Sequence, residues 1–237
     1  NTIDNMSKGD MIVWVEDFNA HGDSECKHYI NESERAGYTK LGAYQMSYRS
    51  NDRVIIVSQR LSDLLFKRLS AYFPDSINND GSIWEPIGLN EVFRFCRYDR
   101  GGTFDAHRDA YFARSVNERS FMTINIYLND TDAGCTRFLN PTGKKIIFQC
   151  QPQAGKALIF LHDEYHDGDV LRLGSKYLMR TDLIYRLKSN INQQEYCLND
   201  KHIQAKQIYI QTKERENKDS SAKTLNVQRK PWSCSLQ

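Results

Sequence analysis

Short alternating segments dominate the chain from about residue 90 and constrain its fold more than any other feature. In NEVFRFCRY (90–98) and SFMTINIYLND (120–130), polar and apolar side chains alternate with the period of two that is typical of a β-strand. Further strands are predicted in KKIIFQCQP (144–152), KALIFLH (156–162) and KYLMRTDLIYR (176–186). Glycines and Asn/Asp turns separate these segments, which indicates a β-sandwich or jelly roll.

The first part of the chain predicts helices beside this β-rich part. A helix is expected in SECKHYINESERAG (24–37), with Ser24 as its N-cap and Gly37 as its stop. A second helix is expected in LSDLLFKRLSAYFP (61–74), where leucines recur at helical spacing. Strands are predicted in MIVWVEDF (11–18) and in the VIIV run (54–57). The predicted fold class is therefore mostly β with N-terminal helices, an α+β arrangement.

Composition divides the 237 residues into three parts. Residues 1–10 form a polar lead, and residues 11–186 form one domain with enough apolar residues for a core. Residues 187–237 are a C-terminal extension rich in Asn, Gln, Lys and Ser. A partly helical segment that packs on the core and a disordered tail both remain open for this extension.

Charge and cysteine usage narrow the function classes. The net charge of +2 is nearly neutral, and no basic stripe is visible, which argues against a nucleic-acid partner. The six cysteines form no C-x-x-C pair, so reduced, buried thiols and a cytoplasmic location are favoured over a disulfide framework. No apolar run is long enough to span a membrane, and the first ten residues lack a signal-peptide core.

One histidine–aspartate pair and one distant histidine suggest a metal site. His107 and Asp109 are separated by one residue, so in an extended segment their side chains point the same way. With His166 from a neighbouring strand, they would complete the two-His, one-carboxylate face that holds non-haem Fe(II). The H-x-D tripeptide alone also suits a surface turn with a salt bridge, and a zinc hydrolase can use the same ligand types.

Five ordered blocks around these residues strengthen the iron interpretation. They are Y-x-x-G-x-x-F-x-x-H-x-D (98–109), T-x-x-x-Y-L-N (123–129), G-x-T-x-F (134–138), P-x-x-G-x-A-x-x-F (152–160), and a histidine followed by glycine and Lys-Tyr (166–177). Together they resemble the prolyl 4-hydroxylase branch of the 2-oxoglutarate, Fe(II)-dependent dioxygenases, over about residues 10–186. Two departures are Ala133 in place of the first glycine of Gly-Gly-x-Thr, and Asp169-Val170 in place of Pro-Val.

The resemblance implies a double-stranded β-helix with Fe(II) at its open end, held by His107, Asp109 and His166. His162 is a competing candidate ligand, but the spacing from His166 to Lys176 matches the family. Lys176 would bind the far carboxylate of 2-oxoglutarate. The remaining implied co-substrate contacts are Arg180, which could share that role or pair with Asp182, Tyr127 at the same carboxylate, and Tyr98 near the metal end.

The resemblance also implies hydroxylation of a substrate with consumption of O2 and release of succinate and CO2, with ascorbate as a further candidate cofactor. A peptidyl proline is the expected substrate, so a protein or peptide partner is predicted. A small molecule, a nucleobase, and a catalytically silent β-helix used for binding remain alternatives. The candidate substrate contacts are Arg49, Asn51, Arg53, Arg108 and Tyr111.

Overall fold

The computed structural model describes residues 12–15, 22–40 and 48–190. The predicted polar lead and all but the first residues of the predicted C-terminal extension lie outside the described residues, so the three-part division stays a prediction. Within the described residues, the expected mostly β architecture with helices near the start is confirmed.

Two α-helices, a short 3-10 helix (Ser70–Tyr72) and fourteen β-strands make up the regular structure of the described residues. The helices are α1 (Gly22–Ala36) and α2 (Gln59–Leu69). The strands are β1 (Ile12–Val15), β2 (Thr39–Lys40), β3 (Asp52–Val57), β4 (Ile77–Asn79), β5 (Ser82–Leu89), β6 (Val92–Tyr98), β7 (Phe104–His107), β8 (Ala113–Ser115), β9 (Glu118–Tyr127), β10 (Thr136–Leu139), β11 (Ile146–Cys150), β12 (Ala157–Leu161), β13 (His166–Gly168) and β14 (Lys176–Asn190).

Both helices occur where the sequence predicts them, with different ends. Helix α1 begins at Gly22, so Ser24 is inside the helix and its predicted role as N-cap is wrong. Gly37 ends α1 as expected, with a φ of 85° that glycine adopts without strain. Helix α2 is capped by the Ser58 hydroxyl, which accepts a hydrogen bond of 3.2 Å from the Leu61 N–H. No helix among the described residues has the length and apolar character to cross a membrane.

A large antiparallel sheet carries most of the core. Ten strands form it, and its main path runs β1-β12-β9-β14-β6-β3-β2. Strand β14 lies at the centre, since it pairs with β9 on one side and with β6 and then β5 on the other. Residues Met122 to Leu128 are all buried, so β9 is covered on both faces. A second sheet packs against one face of the large sheet.

The second sheet has four antiparallel strands in the order β11-β10-β13-β7. An isolated bridge between Arg49 and Phe104 adds a short segment beside β7. Phe138 of β10 and Phe160 of β12 meet edge to face between the two sheets, with ring centroids 5.1 Å apart. Both rings are fully buried, so an aromatic core joins the sheets.

Candidate metal and co-substrate site

The two histidines lie opposite each other on neighbouring strands of the small sheet. His107 is the last residue of β7 and His166 is the first residue of β13, and the antiparallel register pairs them directly. Asp109 lies two residues beyond the end of β7, where its N–H donates to the His162 carbonyl at 2.9 Å. The sequence predicts His107 and Asp109 on one extended segment, whereas β7 ends at His107 and Asp109 lies in the irregular segment that follows.

His107, Asp109 and His166 each offer one ligand atom, and these atoms lie within 4.8 Å of one another. We call these three residues the candidate ligand cluster. His107 Nε2 is 3.7 Å from Asp109 Oδ1, and His166 Nε2 is 3.9 Å from Asp109 Oδ2. The cluster therefore has the size and the donor types that a single metal ion requires.

Backbone carbonyls fix the tautomer of both imidazoles. His107 Nδ1 lies 2.7 Å from the Asp105 carbonyl, and His166 Nδ1 lies 2.9 Å from the Glu164 carbonyl. Because a carbonyl only accepts hydrogen bonds, each Nδ1 carries the proton and each Nε2 has a free lone pair. Burial lowers the pKa of His166 to about 4, so this ring is neutral near pH 7. Two imidazole Nε2 atoms beside a carboxylate form a donor set that fits a divalent metal ion.

The Asp109 carboxylate is held at both oxygens. Thr123 Oγ1 donates to Asp109 Oδ2 at 2.6 Å, and Arg180 lies 3.0 Å from Asp109 Oδ1. Burial opposes ionisation, but the positive charge of Arg180 and the hydrogen bonds outweigh it and hold the pKa of Asp109 well below its usual range. The carboxylate is therefore charged and oriented without a metal.

His162 lies outside the candidate ligand cluster and contacts it through Thr123, which is hydrogen-bonded to Asp109. Its Nδ1 is 3.0 Å from Thr123 Oγ1, and its Nε2 is 2.7 Å from Ser120 Oγ. Burial lowers the pKa of His162, so it is neutral. A chain of hydrogen bonds thus runs from Ser120 through His162 and Thr123 to Asp109. This position suits the supporting role that the sequence analysis preferred over direct ligation.

Lys176 is a buried cation in the same cleft. It is 2% exposed, its Nζ donates to the Gly134 carbonyl at 2.7 Å, and it lies 4.5 Å from the centre of the Tyr98 ring. No acidic side chain of the described residues forms an ion pair with it. Burial lowers the pKa of Lys176 to about 8. A buried ammonium without a counter-ion is costly, so this position favours an anionic ligand.

The other predicted co-substrate residues differ in their access to the cleft. Tyr98 lines it, whereas the fully buried Tyr127 reaches it only through Thr136, whose hydroxyl lies 2.7 Å from the Tyr127 hydroxyl. Burial raises the pKa of both phenols, so they stay protonated. Arg180 lines the cleft but is already paired, at 3.0 Å with Asp109 and 3.5 Å with Asp182. Lys176 is therefore the better candidate for the co-substrate carboxylate.

An open cleft lies between the candidate ligand cluster and Lys176 and is lined by both. Of the predicted substrate contacts, Arg49 lines this cleft, and Asn51, Arg53, Arg108 and Tyr111 do not. Asn51 is buried and accepts a hydrogen bond from Arg49, while the exposed Arg108 donates to the Asp163 carbonyl at 2.8 Å. The complete lining is Arg49, Cys96, Tyr98, Phe104, His107, Asp109, Asn125, Thr136, His166, Asp167, Gly168, Lys176, Leu178 and Arg180.

Several residues that shape this cleft were not predicted from the sequence to have a role in it. Phe104 stacks on His107 with ring centroids 3.7 Å apart, and it appeared only as a letter of the first block. Arg137 makes two hydrogen bonds to Asp167, the residue after His166, at 2.8 and 2.7 Å. No sequence pattern marked that pair, because its two residues come from different strands.

Comparison with known proteins supports the geometry. The sequence profile of the 2OG-Fe(II) oxygenase superfamily matches residues 93–181, a segment that contains the cluster and Lys176. No curated protein matches the sequence.

Solved structures of low sequence identity share the fold. A viral collagen prolyl hydroxylase from Paramecium bursaria Chlorella virus-1 is 16% identical, with a TM-score of 0.50 over 75% of this chain and 97% of the other. A Pseudomonas putida prolyl-4-hydroxylase is 14% identical, with a TM-score of 0.51 over 73% and 91%. A Trichoplax adhaerens prolyl hydroxylase is 16% identical, with a TM-score of 0.53 over 73% and 82%.

These likenesses confirm the predicted double-stranded β-helix. The profile match and the cluster of two imidazoles and one carboxylate support the predicted chemistry as well as the predicted fold. The protein is a 2-oxoglutarate-dependent dioxygenase whose cofactors are Fe(II), 2-oxoglutarate and O2, as the sequence predicts.

Proposed function

We propose that this dioxygenase hydroxylates a prolyl residue of a peptide, with His107, Asp109 and His166 as the iron ligands. The observation that supports the proposal most directly is that the ligand atoms of these three side chains lie within 4.8 Å of one another. Beside them is a buried Lys176 that has no ion-pair partner among the described residues. In the overall reaction, one oxygen atom of O2 enters the substrate C–H bond as a hydroxyl. The other enters 2-oxoglutarate, which loses CO2 and leaves as succinate.

The ligand residues would hold one face of the metal and leave its other positions to co-substrate and O2. Bound Fe(II) supplies the redox chemistry that couples the two oxidations. The protein contributes orientation: the Asp105 and Glu164 carbonyls fix the imidazoles, and Thr123 with Arg180 fixes the Asp109 carboxylate. Little reorganisation is then needed when the metal binds.

Lys176 would bind the carboxylate of 2-oxoglutarate that lies farther from the metal. Its ammonium is desolvated and has no acidic partner in the described part of the chain, so an incoming carboxylate would offset the free-energy cost of burying the charge. The Thr136 hydroxyl lines the same cleft and is backed by Tyr127. This second polar group supports the orientation of the co-substrate, while Tyr98 closes the cleft beside Lys176.

The choice of a prolyl substrate is supported by the order of sequence blocks and by neighbours that are named as prolyl hydroxylases. A small-molecule substrate is the second candidate. A 2-oxoglutarate-dependent epimerase, SnoN from nogalamycin biosynthesis, matches the fold with a TM-score of 0.50 at 16% identity. The same scaffold therefore serves more than one kind of substrate.

A turnover experiment tests the proposal. Purified protein with Fe(II), 2-oxoglutarate, ascorbate and a library of proline-containing peptides is expected to form succinate and peptides that gain one oxygen atom. Asp109→Asn keeps the size of the side chain but loses its charge, so both products should fall to the background level. Asp132→Asn changes an exposed acid away from the cleft and should leave both unchanged.

Two results would contradict parts of this function. Equal succinate formation by Asp109→Asn and the wild type would exclude the proposed ligand set. Oxygen addition to a small molecule, with all peptides unmodified, would exclude the prolyl substrate and keep the dioxygenase.

A further inference from the structure

Arg49 is fixed beside the candidate ligand cluster by its backbone. The Arg49 backbone bridges to Phe104 of β7, and the neighbouring Ser50 N–H donates to the Thr103 carbonyl at 3.1 Å. The Thr103 N–H donates in return to Ser50 Oγ at 2.9 Å. The short segment around Arg49 therefore extends the small sheet along the edge of the strand that carries His107, and the fold sets where its side chain begins.

The Arg49 side chain reaches over the aromatic wall of the cleft. Its guanidinium carbon is 4.3 Å from the centre of the Phe104 ring, and Phe104 in turn stacks on His107. The guanidinium donates to Asn51 Oδ1, approaches Cys96 Sγ at 3.8 Å, and lines the cleft together with Tyr98. These neutral partners hold the group in place without neutralising it. A guanidinium has more N–H donors than these two contacts use.

Within the part of the chain that the structure describes, Arg49 has no counter-ion in the cleft. Of the two lining carboxylates, Asp109 pairs with Arg180, and Asp167 pairs with Arg137. Lys176 and Arg49 are then the lining cations that lack an acidic partner among the described residues. The proposed co-substrate supplies one carboxylate to Lys176 and directs its other end to the metal. Arg49 still faces the cleft as an unmatched positive charge.

We infer that Arg49 binds a carboxylate of the substrate, so that the molecule to be hydroxylated is an acid. This inference rests on the proposed function for the presence of a substrate in the cleft. A planar guanidinium recognises a carboxylate through paired hydrogen bonds, and the position of the Arg49 guanidinium over the Phe104 ring keeps it at the cleft. The carboxylate would belong either to an acidic residue near the proline of a peptide or to the free acid group of a small substrate.

A binding experiment without O2 separates substrate recognition from turnover. Protein loaded with Fe(II) and 2-oxoglutarate is titrated with a proline peptide that has glutamate beside the proline, and with the same peptide carrying glutamine. Free L-proline and prolinamide form the second matched pair. The acidic member of at least one pair should bind roughly 10- to 100-fold more tightly than its neutral partner, the range expected for one charge-assisted contact.

Substitutions at Arg49 attribute that preference to one side chain. Arg49→Gln should abolish it, Arg49→Lys should keep part of it, and Arg49→Glu should transfer it to a peptide with lysine beside the proline. Arg114→Gln removes an exposed cation outside the cleft and should retain the preference of the wild type. If the preference within the peptide pair depends on Arg49, the carboxylate belongs to an acidic residue of a peptide. If the preference for L-proline over prolinamide depends on Arg49, it belongs to the free acid group of a small substrate.

Three outcomes would overturn the inference: equal affinity within both pairs, no binding by any of the four probes, or a preference that survives in Arg49→Gln. A loss of 2-oxoglutarate affinity in Arg49→Gln equal to its loss of probe affinity would also overturn it, because Arg49 would then belong to the co-substrate site. Thermal unfolding of each variant shows whether the fold is retained, and Arg49→Lys keeps the test valid if Arg49→Gln fails to fold.

The inference and the proposed function fail in different ways. Arg49-dependent binding of an acidic peptide that never gains oxygen would contradict prolyl hydroxylation and leave the anion site intact. Equal oxygen addition to the glutamate and glutamine peptides would support prolyl hydroxylation and contradict the binding of a substrate carboxylate by Arg49.

Discussion

At the scale of single residues, the site is defined by which polar atoms are already satisfied. The Nδ1 atoms of His107 and His166 are bonded to carbonyls, so only the Nε2 atoms have free lone pairs. Asp109 has a partner at each oxygen, while Lys176 has a carbonyl and an aromatic ring but no acid among the described residues. Polar atoms that already have a partner in the protein are thus distinguished from those that remain available to bind a ligand.

Lys176 predicts a pH limit for co-substrate binding. Burial lowers its pKa from 10.5 to about 8, with Cys135, Cys96 and Asp169 as the nearby groups that partly oppose the shift. Below pH 8 the free lysine is charged and binds a carboxylate, and as the pH rises through about 8 the charge is lost. Isothermal titration with 2-oxoglutarate should therefore show affinity falling above about pH 8.

Two substitutions check the origin of that limit. Lys176→Met should weaken 2-oxoglutarate binding roughly 10- to 100-fold below pH 8, the cost of one charge-assisted hydrogen bond. Lys176→Arg keeps a cation that stays protonated, so its affinity should not fall in the same pH range. An unchanged pH profile in Lys176→Arg would assign the limit to another group, and Lys188→Met, an exposed lysine, serves as the control.

At the scale of elements, the pairing of β7 with β13 places the two histidines, and β10 holds that pair against the large sheet. Phe138 of β10 is fully buried, with its ring centroid 5.1 Å from that of Phe160 and 5.8 Å from that of His166. The ring therefore supports both the junction of the sheets and one of the candidate ligands.

Phe138→Ala should lower the free energy of unfolding by about 3–5 kcal/mol, because it leaves a cavity between the sheets. Chemical denaturation measures this change. Ile147→Ala, at a position of β11 that is 55% exposed, should change it by no more than about 0.5 kcal/mol. A loss below about 1 kcal/mol for Phe138→Ala would mean that the sheets are not joined through this ring.

Elements were predictable where a period could be read. Strands β6 and β12 lie within the predicted segments, while β9 begins before its segment, at Glu118, and β14 continues past its segment to Asn190. All four were found because six or more alternating residues mark them, or because a short run is purely apolar. Strands β7, β10 and β13 have three or four residues, too few to show a period, and their pairing with one another defines them. Strand β5 was missed because Pro86 interrupts its pattern.

At the scale of the whole molecule, the candidate ligands come from stretches that only the folded chain brings together. A divalent metal should therefore bind the native state and stabilise it by mass action. At a metal concentration 100-fold above Kd, the stabilisation would be about 2.7 kcal/mol, which corresponds to a Tm increase of roughly 5–10 °C for a chain of this size.

Differential scanning calorimetry with Mn(II) or Fe(II) under nitrogen measures that increase. The metal-dependent increase in Tm should be absent in Asp109→Asn and present in Asp132→Asn. An equal increase in both variants would place the metal somewhere other than the candidate ligand cluster.

The sequence by itself determined the chemical identity of the site and the class of fold. Blocks of residues in a constant order carried the ligand types, the lysine and the succession of strands, since these depend on local pattern and spacing. Tertiary structure decided the remainder: the hydrogen bond from the Asp109 N–H to the His162 carbonyl, the pairing of Arg180 with Asp109, and the bridge that places Arg49 beside Phe104. Each of these contacts joins residues that are far apart in the sequence. Whether a charge is paired or free depends on such distant neighbours, which no local pattern contains.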